Sequence, residues 1–473
     1  AYYSGAGIYS TGEMNIVGGS ILNNFVEDDG AGGVFSSGNA TITDATISGN
    51  HGFAGGGIAV TGTMELNGVS LSDNTALAGG GIANVGSLTV INSSISDNSA
   101  NGPSFIPGFN GGGILNSGSL DVIGSTISGN TADQTSGGGI YVGGDGTLTL
   151  NNSTVSGNSA GGDGGGVWVS ENAYGTALTV TNSTIGGNSA GGDGGGIWAF
   201  GYGSALTFTN STVNGNSAGR EGGGISTGAE VRLTLTSSSV NGNGAGTHGG
   251  GILTQFAGAL TLTDSTVSAN SANLDGGGIQ ASYSFFNFGN STISGNTAGR
   301  NGGGISARSE SSVTVTNSTI SGNSAENDGG GIWSTCASIA LTNSTVAGNN
   351  ASRDGGGIWE DESPLFLNSS TVSGNTASRD GGGVYSADYY YFGNIAHSIV
   401  ADNTAVVGPD LKLPSPPTDI NYSLIGDTSD SGIDDTTGMG NVLNQDPLLG
   451  PLQDNGGPTE TMALLPGSPA LDA

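Results

Sequence analysis

The residues of this sequence best suited to chemistry are acidic side chains that recur immediately before clusters of glycine. They are Asp163, Asp193, Glu221, Asp275, Asp328, Asp354 and Asp380. If consecutive members lie in register, their carboxylates are about 5 Å apart and repel one another. Solvent screening would relieve the repulsion, helped by the arginines one residue before this position, Arg220, Arg300, Arg353 and Arg379. The alternative is Ca²⁺ bridging carboxylates and turn carbonyls, with Asp328, Asp354 and Asp380 as candidate ligands.

A second set of candidate residues is aromatic and follows the aliphatic residue that closes a glycine cluster. Its members are Tyr9, Phe35, Tyr141, Trp168, Trp198, Trp333, Trp359 and Tyr385. We expect these rings to point outward. Stacked exposed rings suit a self-association face or a carbohydrate platform, whereas rings covered by loops would only stabilise a sheet. The candidate self-association or ligand face comprises Tyr141, Trp168, Trp198, Trp333, Trp359 and Tyr385. Non-aromatic residues interrupt the series at Ser226, Leu253, Gln280 and Ser306, which argues against one continuous sugar track.

A fixed period positions both sets. The aliphatic residue that closes the glycine cluster recurs fifteen times between Ile8 and Val384, and from Ile225 onward the interval is 26 or 27 residues. Such a period identifies a stacked-repeat architecture. Within one period, apolar residues alternate with Thr or Ser in about three short runs, which is typical of strands with one buried face. Glycine and asparagine separate the runs and supply corners with positive φ. The sequence therefore predicts an all-β, parallel β-helix of about 15 coils, right-handed by crossover chirality.

The pattern also predicts which side chains stack inside the coils. We expect aliphatic ladders such as Ile320, Val346 and Val372, and Leu341 with Leu367. A turn asparagine stands nine residues before each anchor from Asn158 to Asn375. In register, these asparagines would exchange side-chain amide hydrogen bonds, as in cross-β ladders.

Composition excludes several classes of partner. Seven Lys and Arg against 38 Asp and Glu give a net charge of −31, so nucleic acid and anionic membrane surfaces are poor partners. Since no run of about 18 apolar residues occurs, we expect no membrane insertion. The single Cys336 excludes an intrachain disulfide. The chain begins at Ala1 without a signal peptide, from which we expect a processed or truncated N-terminus.

Two regions follow from the pattern. Residues 1–406 form the predicted β-helix repeat domain, with a lengthened turn at residues 101–109. Residues 407–473 are acidic and rich in proline, and we interpret them as a C-terminal cap packed on the last coil. The aromatic runs at residues 283–288 and 389–392 must direct some rings outward.

Two motifs resemble known families. Residues 329–332 (GGGI) and 346–349 (VAGN) resemble the repeats of polymorphic outer membrane proteins, which use GGAI and FxxN; here an aliphatic residue replaces the Phe. Residues 446–452 (DPLLGPL), 455–459 (NGGPT) and 464–470 (LLPGSPA) resemble the C-terminal region of bacterial secreted choice-of-anchor β-helix proteins. Together the matches cover nearly the whole chain. The resemblance implies a bacterial extracellular right-handed β-helix, passenger- or adhesin-like, with no family-wide catalytic residues. In that family an anchoring region normally follows; here the sequence ends without one, which favours cleavage.

Catalysis is not expected. β-Helix lyases need a cationic base facing a calcium–carboxylate cluster, and glycosidases need carboxylates grouped on one coil. The histidines His51, His248 and His397 are far apart and have no carboxylate pair beside them, and Cys336 has no histidine nearby in the sequence. Our first hypothesis is a non-catalytic, extracellular β-solenoid that assembles with itself into a fibre or surface layer. The second is a monomeric cell-surface adhesin for glycans or matrix, and the third is a polysaccharide lyase or hydrolase.

Overall fold

The computed structural model describes residues 4–27, 30–103, 110–169, 175–387, 393–414, 419–434 and 436–471. These residues form strands and no helix. Short parallel strands repeat in about 15 turns of a right-handed β-solenoid, which confirms the predicted fold class. The chain divides into two units, residues 1–234 with 243–245 (unit 1) and residues 235–242 with 246–473 (unit 2). Each unit contains four parallel sheets, numbered here in the order in which one turn of the chain passes through them.

The strands of unit 1 are as follows. Sheet 1 contains Ile8–Ser10, Val34–Ser36, Ile58–Val60, Ile82–Asn84, Ile114–Asn116, Ile140–Val142, Val167–Val169, Ile197–Phe200 and Ile225–Gly228. Sheet 2 contains Met14–Val17, Asn39–Thr43, Thr63–Asn67, Ser87–Ile91, Ser119–Ile123, Thr147–Asn151, Ala177–Thr181 and Ala205–Thr209. Sheet 3 contains Ser20–Leu22, Thr46–Ser48, Ser70–Ser72, Ser94–Ser96, Thr126–Ser128, Thr154–Ser156, Thr184–Gly186 and Thr212–Asn214. Sheet 4 contains His51–Ala54, Thr75–Ala78, Ser99–Ala100, Thr131–Ala132, Ser159–Ala160, Ser189–Ala190, Ser217–Ala218 and Gly244–Ala245. Ser4–Gly5 pairs separately with Gly30–Ala31.

The strands of unit 2 follow the same plan. Sheet 1 contains Ile252–Gln255, Ile279–Ser282, Ile305–Arg308, Ile332–Thr335, Ile358–Asp361, Val384–Ser386 and Leu411–Lys412. Sheet 2 contains Ala259–Thr263, Phe285–Gly289, Ser312–Thr316, Ser338–Thr342, Leu365–Asn368, Asn394–Ala396 and Ile420–Asn421. Sheet 3 contains Ser239–Asn241, Thr266–Ser268, Thr292–Ser294, Thr319–Ser321, Thr345–Ala347, Thr371–Ser373, Ile399–Ala401, Leu424–Ile425 and Val442–Leu443. Sheet 4 contains Ser271–Ala272, Thr297–Ala298, Ser324–Ala325, Asn350–Ala351 and Thr376–Ala377. Strand Arg232–Thr236, of the sheet 2 type, has residues in both units.

The fourth strand of each turn was not predicted. It lies between the turn asparagine and the glycine cluster and is mostly two residues long; Ser324–Ala325, for example, pairs with Asn350–Ala351. A strand of two residues contains no alternation to detect, so a pattern search based on a period of two cannot find it. The predicted three runs correspond to sheets 1, 2 and 3.

The predicted aliphatic ladders form the interior. Ile320, Val346 and Val372 occupy one column of sheet 3, and all are at most 1% exposed. Leu341 and Leu367 are paired in sheet 2. Because the side chains of a strand alternate between its two faces, the hydroxyl residues between these aliphatic residues face away from the core.

The glycine cluster is required by the close approach of the next turn. A Cβ on Gly357 would lie 2.6 Å from the carbonyl oxygen of Gly383 and 3.1 Å from the side chain of Asn375. Gly355 has φ +66°, and a Cβ there would lie 2.6 Å from the Cβ of Trp359. Real Cβ atoms are not found at such distances from backbone atoms, so residues with side chains cannot replace these two glycines without displacing the chain.

The turn asparagines form the predicted ladder within each unit. Asn349, 1% exposed, accepts hydrogen bonds from the backbone N–H and the Nδ2 of Asn323, both at 2.9 Å. Its own Nδ2 donates to the Oδ1 of Asn375 at 2.9 Å and to the carbonyl oxygen of Ile320 at 3.0 Å. Each amide in this buried column is thus satisfied by its neighbours, which stabilises one register of stacking.

A serine ladder explains the recurrent Asn-Ser-Thr sequence. The backbone N–H of Ser318 donates to the Oγ of Ser344 at 3.2 Å, and that hydroxyl donates to the carbonyl oxygen of Thr342 at 2.8 Å. The preceding Asn317 and Asn343 have φ near +50° and form the corner between sheets 2 and 3. The motif is therefore the corner chemistry of the repeat.

The solenoid continues beyond the predicted domain boundary at residues 406 and 407. Leu411–Lys412 pairs with Val384–Ser386, and Val442–Leu443 pairs with Leu424–Ile425. Residues 407–473 are rich in proline and lack the glycine cluster. The repeat pattern therefore does not predict the strands that the backbone forms there. Residues 104–109 of the lengthened turn and the aromatic run at 389–392 lie outside the described residues.

An antiparallel hairpin, Leu449–Gln453 with Thr461–Leu464, follows the last coil strand. It contacts the outer face of sheet 3 in unit 2 far back along the chain. The hydroxyl of Thr319 donates to the carbonyl oxygen of Glu460 at 2.6 Å. In return, the hydroxyl of Thr459 donates to the backbone carbonyl oxygen of Asn317 at 3.3 Å. The hairpin therefore lies along the side of the coils, which differs from the predicted cap on the last coil.

Candidate functional site

The acidic residues before the glycine clusters form a column of hydrogen-bond acceptors. In unit 2, Asp328 Oδ1 accepts the backbone N–H of Asp354 at 3.2 Å, and Asp354 Oδ1 accepts that of Asp380 at 3.2 Å. In unit 1, Asp193 Oδ1 accepts the backbone N–H of Glu221 at 3.0 Å. The predicted register is therefore present, and each of these carboxylates is stabilised by an amide of the next turn.

The arginines pair with acidic residues one turn back, and not with the residue that follows them in sequence. Arg379 contacts Asp354 twice, with Nε–Oδ1 at 3.1 Å and Nη2–Oδ2 at 2.5 Å. Arg300 makes the same two-point contact with Asp275, which is 1% exposed. Planar two-point pairing is the strongest form of this interaction, and it relieves the repulsion within the column.

Two other ion pairs in the column are looser. Arg353 lies 3.6 Å from Asp328, and Arg220 lies 3.3 Å from Asp193. Burial raises the pKa of Asp328, and Arg353 opposes that effect. Burial likewise raises the pKa of Asp193, opposed by the hydrogen bond from Glu221. Where the arginine is farther away, the cost of burying the charge outweighs the attraction.

The sequence reasoning missed that one histidine belongs to this column. His248 takes the position of an acidic residue before its glycine cluster, and its Nδ1 accepts the backbone N–H of Asp275 at 3.3 Å. Burial lowers the pKa of His248, although the carboxylate of Asp275, 3.5 Å away, opposes this. A neutral imidazole with its proton on Nε2 satisfies the acceptor role that the position requires. The signal in the sequence was the position itself, directly before Gly249.

Two of the three candidate calcium ligands are already engaged by other groups of the protein. The oxygens of Asp328 and Asp354 already accept backbone amides and contact arginines. Among the described residues, no group of three or more His, Cys, Asp or Glu side chains surrounds a common point. Because calcium takes six to eight oxygen ligands, binding by Asp328, Asp354 and Asp380 would need further oxygens, and it stays a prediction.

The aromatic residues stack in register as separate columns. In unit 1, Tyr141, Trp168 and Trp198 have ring centroids 4.3 and 5.1 Å apart and planes within 12° of parallel. In unit 2, Trp333, Trp359 and Tyr385 have centroids 5.3 and 6.3 Å apart and planes within 10°. Tyr9 stacks on Phe35 at 5.1 Å. The structure thus brings together all six candidate rings in two groups of three.

This geometry does not suit a carbohydrate platform. A sugar ring binds against the face of an aromatic ring, and here the faces of Trp168 and Trp359 are covered on both sides by neighbouring rings. For these two rings, only the edges remain for solvent. The columns are better explained as stacking that stabilises sheet 1.

The outward side of sheet 1 is also more covered than predicted. Trp198 is 8% exposed and Phe35 is 4% exposed, and Phe35 packs in a cluster with Ala31 and Ala59. Partly buried Ala54 of sheet 4 lies against that cluster. Phe35 and Trp198 are therefore covered, which is the alternative that the sequence had left open.

Cys336 has the environment of a structural thiol. Its Sγ lies 3.0 Å from Glu362 Oε2, and this hydrogen bond to the carboxylate raises the pKa of the exposed thiol. A nucleophilic cysteine requires a lowered pKa and a neighbouring cation or base. The other histidines, His51 and His397, stack on aromatic rings.

The sequence reasoning also overlooked the outward residues of sheets 2 and 3, which are mostly Thr and Ser. In unit 1, Thr154 pairs with Thr184 in sheet 3, and Thr179 pairs with Thr207 in sheet 2. Their alternation had been used only to locate the buried residues. They form repetitive columns on the surface, which in sheet 2 also include Glu65 and Asp121.

Stacked parallel strands with continuous side-chain ladders define a parallel β-solenoid. The sequence model described as "Right handed beta helix region" matches residues 2–213, 112–288 and 278–443, so the chain belongs to this family. The family contains enzymes as well as proteins without catalytic activity. No curated protein shows significant similarity to the chain. Across the described ranges, no helix has the length and apolar character needed to cross a membrane.

Proposed function

We propose that this chain is a non-catalytic structural protein of the bacterial cell exterior, a β-solenoid that associates with copies of itself into a fibre or surface layer. The observation that carries the proposal is that the side chains capable of chemistry are engaged in contacts within the fold. Asp354 is bound by Arg379, His248 accepts a backbone amide, and the Cys336 thiol is bonded to Glu362. Groups bound in this way hold turns together and are not poised for catalysis.

The repetition of the surface supports assembly as the function. Each turn presents nearly the same outward residues as the one before, so a contact made at one turn can be repeated at the next. The resemblance to secreted bacterial β-helix proteins supports the extracellular location.

The test is negative-stain electron microscopy of the purified chain over a range of concentrations. The proposal predicts filaments or sheets with a regular axial repeat. Isolated particles at all concentrations would contradict it. Assays for reducing sugars and for unsaturated products on a panel of acidic and neutral polysaccharides test the enzyme alternative, and any turnover would overturn the non-catalytic assignment.

A second candidate function, glycan binding by a monomeric adhesin, is favoured by one group of exposed rings. Phe256, Tyr283 and Phe285 of unit 2 are 55%, 53% and 61% exposed. The backbone N–H of Ala257 donates to the carbonyl oxygen of Tyr283 at 2.6 Å, so these rings lie on adjacent turns. Exposed ring faces are the feature that the stacked columns lack. A glycan array that compares the chain with Tyr283→Ser/Phe285→Ser tests this candidate, which predicts binding that the double variant loses.

A further inference from the structure

Sheet 3 of unit 1 presents an outward face made almost entirely of hydroxyl groups. We call it the hydroxyl face. It begins after the first strand, Ser20–Leu22, whose Leu22 is 48% exposed and apolar. Its fourteen positions over the next seven turns are Thr46, Ser48, Ser70, Ser72, Ser94, Ser96, Thr126, Ser128, Thr154, Ser156, Thr184, Gly186, Thr212 and Asn214. Adjacent strands are paired without a shift, so the hydroxyl groups form two straight columns. Most of these residues are half-buried or exposed.

The face is neutral on a chain whose formal net charge is −31. None of its fourteen residues is ionisable. Asp44, Asp73 and Asp97 stand at the corners beside its first three turns, and Asp73 accepts hydrogen bonds from the hydroxyls of Ser48 and Ser72 at 3.4 and 2.9 Å. The corners beside its last four turns are Asn or Gly, as at Asn152, Asn182, Gly157 and Gly187, so these four turns are the uncharged part of the surface. Two copies of an anionic protein repel each other across most of their surface. They can approach with the least repulsion where both present an uncharged face.

The face is also complementary to itself. A hydroxyl group both donates and accepts hydrogen bonds, whereas a carboxylate only accepts and an arginine only donates. A column of hydroxyl groups can therefore pair with an identical column, and a two-fold axis places the same patch on both partners. We propose that the hydroxyl face is the surface through which a second copy of this chain docks side by side. This proposal rests on the proposed self-assembly and names its lateral interface; because a two-fold contact closes after two copies, extension into a fibre or layer uses a second contact as well.

The equivalent face of unit 2 carries another β-structured segment of the same chain. There the C-terminal hairpin lies on sheet 3, held by hydroxyl-to-carbonyl bonds from Thr319 to Glu460 and from Thr459 to Asn317. Under the hairpin, Thr319 and Thr345 are 1% and 4% exposed, whereas Thr154 and Thr184 of unit 1 are half-exposed. A β-strand surface of this composition therefore accepts another β-structured segment.

The size of the face sets the strength of the contact. Seven turns about 4.8 Å apart extend over about 29 Å, and a three-residue strand is about 10 Å wide. A stable protein pair buries about 800 Å² on each partner, more than this strip provides. We therefore expect weak, concentration-dependent pairing, which becomes persistent only when several copies contact one another.

The experiment compares two matched double variants of the full chain. Thr154→Asp/Thr184→Asp places two like charges on paired residues of the hydroxyl face. Thr179→Asp/Thr207→Asp places the same charges on paired, exposed residues of sheet 2 in the same unit. Circular dichroism and the melting temperature establish that both variants fold. Sedimentation velocity over a hundredfold range of concentration measures association, and electron microscopy records filaments.

We expect the parent chain to associate with rising concentration, the sheet 3 variant to associate at least tenfold more weakly, and the sheet 2 variant to match the parent. Equal weakening by both variants would show a general charge effect and overturn the proposed interface. Filaments that persist in the sheet 3 variant would overturn the interface while leaving the assembly function intact. A parent chain that stays monomeric throughout would overturn both. Glycan binding lost only in the sheet 3 variant would assign the face to a carbohydrate instead.

Discussion

The carboxylate of Asp410 ends the asparagine ladder of unit 2 by accepting two hydrogen bonds from Asn403, from its backbone N–H at 3.0 Å and from its Nδ2 at 2.9 Å. Its second oxygen accepts the backbone N–H of Asp427 at 2.6 Å. Every asparagine of the ladder donates hydrogen bonds to the side-chain oxygen of the next residue in the ladder. The last residue only has to accept such bonds, because no further asparagine follows it. An aspartate meets that requirement, in a segment where the sequence pattern had already ended.

Asp410 makes stability depend on pH. Burial raises the pKa of Asp410 from 3.8 to about 6, opposed by the hydrogen bonds from Asn403. The folded state therefore binds this proton more tightly than the unfolded state does. The resulting stabilisation is complete below the unfolded pKa and is lost as pH rises through about 6, a change of about 3 kcal/mol. Melting curves at pH 4, 5, 6 and 7 measure it. Asp410→Asn should remove this part of the dependence of stability on pH. An unchanged dependence would contradict its attribution to Asp410.

Interrupting the asparagine ladder should lower the free energy of unfolding. Asn349→Leu would leave the backbone N–H and Nδ2 of Asn323 and the carbonyl oxygen of Ile320 buried without partners. Each such group costs about 1–3 kcal/mol, so we expect a loss of about 3–6 kcal/mol in chemical denaturation. The control is Asn343→Asp in the exposed corner column, where Asp264 already occurs with the same positive φ. It should change stability by less than about 0.5 kcal/mol, and similar losses from both variants would count against the ladder.

Removing one arginine should expose a buried charge. Arg300→Gln takes both contacts from Asp275, which is 1% exposed, so we expect a lower melting temperature at pH 7. Differential scanning calorimetry measures the loss. The looser pair offers a comparison, since Arg353→Gln should have a smaller effect. Equal losses from Arg300→Gln and Arg353→Gln would contradict the larger contribution of the two-point contact.

Chelation should leave the fold unchanged. The acidic column is held by backbone amides and arginines, with no convergent set of oxygen ligands among the described residues. We therefore expect the same melting temperature in excess EDTA as in millimolar Ca²⁺. A rise with Ca²⁺ that EDTA reverses would restore Asp328, Asp354 and Asp380 as calcium ligands.

The glycine cluster can be tested at a single position. Gly357→Ala would place a Cβ 2.6 Å from the carbonyl oxygen of Gly383, so the turn must separate from its neighbour. We expect a loss of about 2 kcal/mol or more. Gly289→Ala is the control, because nothing lies within 4 Å of its Cβ position and its φ is ordinary. Equal tolerance of both substitutions would contradict the tight approach.

The residues that repeat identically were the ones whose positions could be predicted. Ile332 and Asn349 recur at a fixed interval, and a solenoid converts equal spacing along the chain into stacking in space. His248 was missed because it was judged as a catalytic group, although it substitutes for an aspartate as an acceptor. Asp410 was missed because its segment carries no glycine cluster to mark the turn.

The sequence by itself determined the repeat, the fold class, the buried aliphatic columns and the asparagine ladder, since each depends only on spacing and on alternation within a strand. The tertiary structure decided which turn each side chain contacts. Arg379 binds Asp354 one turn back because its long side chain reaches the neighbouring coil, where the adjacent Asp380 already directs its backbone N–H to Asp354. The position of the hairpin beside Thr319, about 140 residues earlier, was likewise set by folding, because contacts between distant segments leave no period in the sequence.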